Sequence, residues 1–256
     1  MANTVLHDDG NHRNILLEDF GTGDAAVQAN QHLIIHGNAG MILDPGGHKV
    51  YSKVLSETTT QLGSAKLQYV FLSHQDPDIV AACNGWLMAT EATAYVSTLW
   101  TRFVPHFGLD HLVTERLLPI EDEGMVFNLG GADILALPAH FLHSCGNFHL
   151  YDTVSKILYT GDLGASVDPG YIEVSNFEEH AEKMLGFHQR YMGSGAALKA
   201  WAKMVSSLDI ETIAPQHGAL FKGKDMVSKF IEWCSNLECG SDIMADCYKV
   251  PQPVGT

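Results

Sequence analysis

The first half of the chain alternates short apolar runs with turns rich in Gly and Asp. His32-Leu33-Ile34-Ile35, Gly40-Met41-Ile42-Leu43, Leu67 to Leu72, Ala94-Tyr95-Val96, Met125-Val126-Phe127 and Asp133 to Leu137 are short and bounded by turn residues, a pattern that predicts strands. Between them, Pro77 to Thr90 places Ile79, Ala82, Cys83, Trp86 and Leu87 on one face, with Pro77 suited to a first helical position, and this predicts a helix. A second strand group, Phe148 to Tyr151 and Lys156 to Thr160, precedes a change of period. From Ala196 to Leu208, and again from Lys224 to Asn236, apolar residues fall at helical spacing. The tail after Gly240, ending Val250-Pro251-Gln252-Pro253, is expected to fray or to lie on the surface. This order of elements, with no repeat or linker, predicts a layered α/β (α+β) fold in a single domain over residues 1–256.

At 256 residues and 46% hydrophobic content the chain can build a sizeable core. Apolar runs such as Tyr69-Val70-Phe71-Leu72 are far below the roughly 20 residues that span a bilayer, so no membrane association is expected. Met1 to Gly10 lacks a basic and an apolar leader region, which makes the cytoplasm the expected compartment. Thirty acidic against 15 basic residues give a charge of −15, a field that repels phosphate backbones, so nucleic acid is not an expected partner. Five cysteines without a CxxC motif are expected to be reduced thiols. Fourteen histidines nearly equal all Lys and Arg together, which raises the question of whether they are organised as metal ligands.

The sharpest answer lies in Tyr69-Val70-Phe71-Leu72-Ser73-His74-Gln75-Asp76-Pro77-Asp78. A buried strand ends at Ser73, and His74, Asp76 and Asp78 follow at alternate positions, which in an extended segment share one side. The competing reading is a polar turn in which Asp76 or Asp78 caps the helix. Three more apolar runs lead into polar loops in the same way: Ile134 to Pro138 into His140 and His143, Ile157 to Gly161 into Asp162, and Ile210 to Gln216 into His217. Ligands delivered from several strand ends converge at one sheet edge.

The series His74-x-Asp76-x-Asp78, His143, Asp162 and His217 resembles the metallo-β-lactamase superfamily, over nearly the whole chain. Within it the chain is most similar to the di-iron domain of flavodiiron proteins and to their stand-alone oxygen-binding relatives, which carry an acid at the middle position of the first motif. Gln31 to Ile34 through Leu43-Asp44-Pro45-Gly46, Tyr159-Thr160-Gly161-Asp162, Ala214-Pro215-Gln216-His217-Gly218 and Phe187 to Asp209 also match. The resemblance implies a four-layer αββα sandwich and two iron ions (Fe2+/Fe3+) bridged by an oxo, hydroxo or peroxo group. His74, Asp76 and His143 would hold the first ion, Asp78 and His217 the second, and Asp162 would bridge them. A set of three imidazoles and three carboxylates suits iron or manganese, with zinc as a further alternative. Tyr191 lies where flavodiiron proteins carry a tyrosine near the metals, which implies a hydrogen bond to bound dioxygen against the competing reading of a packed aromatic.

Two departures stand out. Asp76 is shorter than the family's usual Glu, and Ile79 stands where the fuller pattern has a histidine, which leaves the second ion an open position, a substitute ligand, His140 or His36, or a poorly occupied site. Among the other histidines, His7, His12, His180 and His188 are expected to be solvated, and His32 and His149 to be half-buried structural residues. Cys145 is expected to be packed. The resemblance implies a non-haem di-iron protein that binds dioxygen as a sensor or carrier, partnered by a chemotaxis signalling protein. A reductase of O2 or NO served by an external electron-transfer partner remains open, with no flavodoxin-like half and no bound FMN expected in this chain. The alternative of another class is a dinuclear hydrolase of an ester, thioester or phosphodiester. Homodimerisation is an expectation of the resemblance alone.

Overall fold

The computed structural model describes residues 3–17, 20–21, 28–166 and 169–253; Met1 and Ala2 of the expected leader-free start and the last three residues of the expected tail lie outside the described residues. Strands β1 (Thr4–Asp8), β2 (His12–Leu16), β3 (His32–His36), β4 (Ala39–Leu43), β5 (Lys66–Phe71), β6 (Thr93–Ser97) and β7 (Leu117–Ile120) form one sheet in that spatial order. β1 to β4 are antiparallel and β4 to β7 parallel. Parallel neighbours need crossovers, and α1 (Tyr51–Leu62), followed by α2 (Pro77–Val80) and α3 (Cys83–Ala89), supplies the first two. The second sheet holds β8 (Met125–Leu129), β9 (Ala132–Pro138), β10 (Phe148–Asp152), β11 (Ile157–Tyr159), β12 (Thr212–Ala214) and β13 (Phe221–Lys222), in the reverse spatial order β13 to β8. Helices α4 (Phe177–Tyr191), α5 (Gly195–Val205) and α6 (Lys224–Asn236) complete the regular elements that matter for the site.

Three apolar clusters separate the layers. Ile34, Met41, Phe71, Phe127, Phe148 and Leu150 fill the space between the sheets. Val54 and Trp86 pack the first helices on Leu33, Ile42 and Val70, while Met184, Leu198, Trp201 and Phe230 pack the later helices on Tyr151, Leu158 and Ile213. β3 therefore buries Leu33 and Ile35 on one face and Ile34 on the other, and a strand covered on both faces reads as a continuous apolar run. This is the αββα sandwich that the resemblance implied. No helix among the described residues is long and apolar enough to cross a membrane.

The helix expected over Pro77 to Thr90 is two short helices, broken at Ala82, whose backbone (φ −95°, ψ 6°) leaves helical geometry. The break sets Gly85 against the Tyr51 ring, where a Cβ would collide. β7, Leu117-Leu118-Pro119-Ile120, carries a proline that hides its strand character but is tolerated at a sheet edge. In α1 only Val54 and Thr58 are buried, so the helix has too thin an apolar stripe to be read from periodicity. The tail is docked as far as Asp242, whose Oδ2 accepts from Gly195 N at 2.7 Å, and beyond it Tyr248 and Val250 are exposed.

Phe127 is 1% exposed and lies edge-on to both Phe71 and Tyr95 between the sheets. Phe127→Ala should lower stability by about 3–5 kcal/mol. Urea unfolding followed by tryptophan fluorescence checks this; a loss under about 1 kcal/mol would show that this contact contributes little to holding the layers together.

Candidate metal centre

Four loops that leave strand C-terminal ends meet at one edge of the sandwich: β5 delivers His74, Asp76 and Asp78, β9 His143, β11 Asp162 and β12 His217. The first loop is pinned from below. Asp44, in the left-handed region at φ 42° after β4, accepts from Ser73 N at 2.7 Å, and Ser73 Oγ lies 2.9 Å from His74 Nδ1. That contact turns His74 Nε2 inward. His217 is oriented by the same device, its Nδ1 donating to the Gln28 carbonyl at 2.5 Å. Asp76 occupies the N-cap position of α2 with extended backbone, yet its side chain makes no cap hydrogen bond, so the capping alternative does not hold there.

Asp162 sits at the centre and is 5% exposed. Its Oδ2 lies 3.1 Å from His143 Nε2, and its Oδ1 lies 3.8 Å from His74 Nε2 and 3.6 Å from His217 Nε2. Asp76 Oδ2 is 3.6 Å from His74 Nε2 and 3.5 Å from His143 Nε2, while Asp78 Oδ2 is 3.4 Å from His217 Nε2. Donor atoms of His74, Asp76, His143 and Asp162 lie within 4.8 Å of one another. His217 and Asp78 adjoin that group through Asp162, which both halves share.

The buried atoms His74 Nε2, His143 Nε2 and Asp162 Oδ1 have no hydrogen-bond partner. Unpartnered buried polar atoms are costly, and two donors each about 2.1 Å from a shared ion lie roughly 3.0–3.5 Å apart, close to the separations seen here. The donors of His74, Asp76, His143 and Asp162 therefore fit a cation, and His217 lies at comparable separations from Asp78 and Asp162 beside them. The absence of sulfur among the six donors favours a metal of the iron or manganese kind.

The charges are strongly coupled. Burial alone would lower the pKa of His143, but the Asp162 and Asp76 carboxylates outweigh it and raise it to about 10. His217 behaves likewise, lowered by burial but raised to about 9 by Asp78 and Asp162. Burial pushes Asp162 and Asp76 up, and the imidazoles around them overcome this and hold both below the usual carboxylate range. Asp44, one layer down, is pushed up to about 6 by burial.

Of the substitute ligands expected for the second half, neither is at the site. His140 points away, with Nε2 against the Asp122 carbonyl at 2.9 Å, and His36 lies at the opposite end of β3. Ile79 is fully buried in the first helix layer and offers nothing. In its place Gln216 Nε2 donates to Asp78 Oδ2 at 3.3 Å. Asp76 is held by Gln75, whose Nε2 donates to Asp76 Oδ1 at 3.0 Å while Ser144 Oγ donates to Gln75 Oε1 at 2.6 Å. This clamp ties the first loop to the His143 loop and leaves Asp76 Oδ2 facing the two imidazoles. Neither Gln216 nor Gln75 was singled out from sequence, although both are motif neighbours.

A cavity of about 570 Å3 opens above the cluster, lined by Gln28, Ser166, Phe187 and Tyr191 as well as by the donor residues other than His74. Tyr191 stacks on Phe187 with ring centres 4.7 Å apart, and each ring stands edge-on to His143. Tyr191 is thus both packed and, at 56%, exposed on the cavity rim. Cys145, expected to be packed, is exposed beside the His143 loop. His180 and His188, expected to be solvated, are fully buried on α4, where Tyr171 Oη lies 2.8 Å from His180 Nδ1 and Gly164 N donates to His188 Nε2. His32 and His149, expected to be half-buried, are buried outright. His149 Nδ1 accepts from Trp201 Nε1 at 2.9 Å, and burial lowers its pKa to about 3, so it is neutral.

The family model for the ODP family beta lactamase matches residues 27–218. The chain belongs to that family. A structure of the peroxy diiron species of a chemotaxis sensor ODP is 38% identical, covers 97% of this chain and 100% of its own, and superposes with a TM-score of 0.85. The apo state of the ODP chemotaxis sensor from T. denticola is also 38% identical, with a TM-score of 0.84 over 96% of this chain and 99% of its own. A variant of the flavo di-iron protein from Thermotoga maritima shares the fold at 17% identity and a TM-score of 0.74, over 91% of this chain and 60% of its own. An uncharacterized protein from Methanocaldococcus jannaschii is 22% identical over 228 residues, and the chain spans 57% of that relative's length. As an ODP family member, the chain matches the sensor structures from end to end and the longer relatives over little more than half.

The imidazolium–carboxylate contacts have a consequence for the metal-free chain. Because His143 and His217 are raised above the ordinary value of 6.5, their contribution to stability is complete below pH 6.5 and lost as pH rises through about 9 and about 10. Chemical unfolding of metal-free protein should therefore give a lower stability at pH 10 than at pH 7; an equal or higher value would refute the imidazole–carboxylate pairing.

Proposed function

We propose that this chain is a non-haem di-iron protein that binds dioxygen as a sensor, with His74, Asp76 and His143 holding one iron, Asp78 and His217 the other, and Asp162 shared between them. The observation that carries this reading is the six-donor cluster around one buried carboxylate, with inward Nε2 and Oδ1 atoms that have no protein partner. Its support from relatives is the end-to-end likeness to the ODP chemotaxis sensor in its peroxy diiron species. When bound, the iron pair supplies one-electron chemistry toward dioxygen that no side chain in this set has.

The protein's part is to hold and to exclude. Ser73 and Gln28 fix two imidazole orientations, the Ser144–Gln75 clamp fixes Asp76, and Phe187 with Tyr191 screens one side of the cavity from water. The Tyr191 hydroxyl is the candidate hydrogen-bond donor to a small ligand in that cavity. We take residues 1–256 as one metallo-β-lactamase-like unit, located in the cytoplasm, that reports to a chemotaxis signalling partner. The acidic surface, with a net charge of −15, suits a basic docking face on that partner.

Protein made in iron-supplied cells should carry about two iron ions per chain, and Asp162→Ala should lose both. Two zinc ions would overturn the di-iron reading, and loss of one ion only would overturn the shared role of Asp162. Oxygen added anaerobically to the reduced protein should give a long-lived coloured adduct with stoichiometric uptake. Rapid catalytic consumption with an external reductant would replace the sensor by a reductase.

A further inference from the structure

The end of the sandwich opposite the metal centre holds a second group of histidines. β3 runs from His32, which pairs with Leu43 at the centre's end of the sheet, to His36, roughly 13 Å away at the strand rise of about 3.3 Å per residue. His36 pairs directly with His12 on β2, so the two side chains share a sheet face. His7 on β1 pairs with Asn14, two residues from His12 and on that same face. A bulge between Val5 and His7 sets this register; bulges re-aim side chains.

His12 is expected from sequence to be solvated, but it is fully buried, and its surroundings explain why. Its Nε2 donates to Asp152 Oδ2 of the second sheet at 2.6 Å, and Asn14 Nδ2 donates to the same oxygen at 2.7 Å. The carboxylate draws the His12 proton to Nε2 and leaves Nδ1 bare. That bare nitrogen faces His36 Nδ1 at 3.0 Å, so a single proton lies between the two rings. His7 Nε2 is buried nearby with no hydrogen-bond partner, 3.8 Å from Asp9 Oδ2.

We infer that this pole is a second, mononuclear metal site for a divalent late transition metal of the zinc type, with His12 Nδ1, His36 Nδ1 and His7 Nε2 as ligands and Asp9 beside them. A carboxylate behind a ligating imidazole is the arrangement that fixes tautomer and raises basicity in metal sites, and Asp152 stands in that place behind His12. Two imidazoles on one tetrahedral ion at about 2.0–2.1 Å have ring centres roughly 5 Å apart. The rings of His12 and His36 are 5.2 Å apart and those of His7 and His12 5.7 Å. β1 is an edge strand, so His7 is the ligand that must move inward to complete the site. The ion takes the place of the shared proton, which moves to His36 Nε2; the Asn11 amide, 3.2 Å away, turns its oxygen to accept it. All-imidazole ligation selects a different metal from the carboxylate-rich centre, so the inference stands independently of the di-iron reading.

The test is zinc content by elemental analysis after dialysis against a chelator-buffered series of free Zn2+, for the wild type and for His36→Gln and His7→Ala. His36→Gln keeps a hydrogen-bonding partner for His12 but not an imidazole, and His7→Ala changes only a partly exposed edge residue. The wild type should bind about one more zinc ion than either variant, with at least about tenfold weaker binding of that ion in the variants, whether or not the central site is loaded. Nitrogen-15 NMR of the histidine rings should show His12 and His36 responding to that ion. Equal zinc content in the wild type and both folded variants, or ring signals unmoved by zinc, would overturn the site and leave a hydrogen-bond chain that only ties the sheets together.

Discussion

The functional end of this molecule depends on the cost of burying one carboxylate. Asp162 lies on a short loop after β11, almost wholly out of water, where an isolated anion would be strongly destabilised. Three imidazoles from three other loops surround it, and their positive character holds its pKa below the ordinary range. The loops are in turn fixed by contacts one step further out: Asp44 on Ser73, Ser73 on His74, the Gln28 carbonyl on His217, and Ser144 through Gln75 on Asp76. Without a cation between them these groups attract one another as ion pairs. On the proposed reading, the same nitrogens and oxygens would become ligands of a bound cation, and protons would have to leave for this to happen.

Much of this was legible in the sequence because the six donors follow apolar strands at predictable offsets. His74, His143, Asp162 and His217 stand where the strand-then-loop pattern put them. What could not be read was the fate of the odd positions. Ile79 goes to the helix layer because α2 turns it inward, and only the folded chain shows Gln216 reaching the Asp78 carboxylate. His12, His180 and His188 look solvated in sequence because their neighbours along the chain are polar. Their partners, Asp152, Tyr171 and Gly164, are distant or on another element, and burial follows from those. The apolar spacing over Pro77 to Thr90 is the same on both sides of Ala82, so it does not show the break, nor the close approach of Gly85 to Tyr51 of a different helix.

The two sheets are joined differently at their two ends. In the middle they meet through aromatic and aliphatic packing around Phe71, Phe127 and Phe148. At one end the loops diverge enough to leave a cavity over the donor cluster. At the other the gap is closed by a buried polar bridge from His12 to Asp152, which Asn14 extends to the Tyr159 hydroxyl at 2.9 Å. Such a bridge is directional in a way that packing is not, and it fixes the relative slide of the sheets as well as their separation.

The hydrogen bond from Gly164 N to His188 Nε2 has a mechanical side. Burial lowers the pKa of His188 to about 4, so the ring stays neutral and its lone pair remains available to Gly164 across the whole physiological range. The loop that carries Asp162 is thereby fastened to α4 two residues downstream. The neighbouring positions on that helix, Phe187 and Tyr191, are the aromatic plates over the cavity. Through that bond and one turn of helix, the loop of the central carboxylate is joined to the molecular surface at Tyr191.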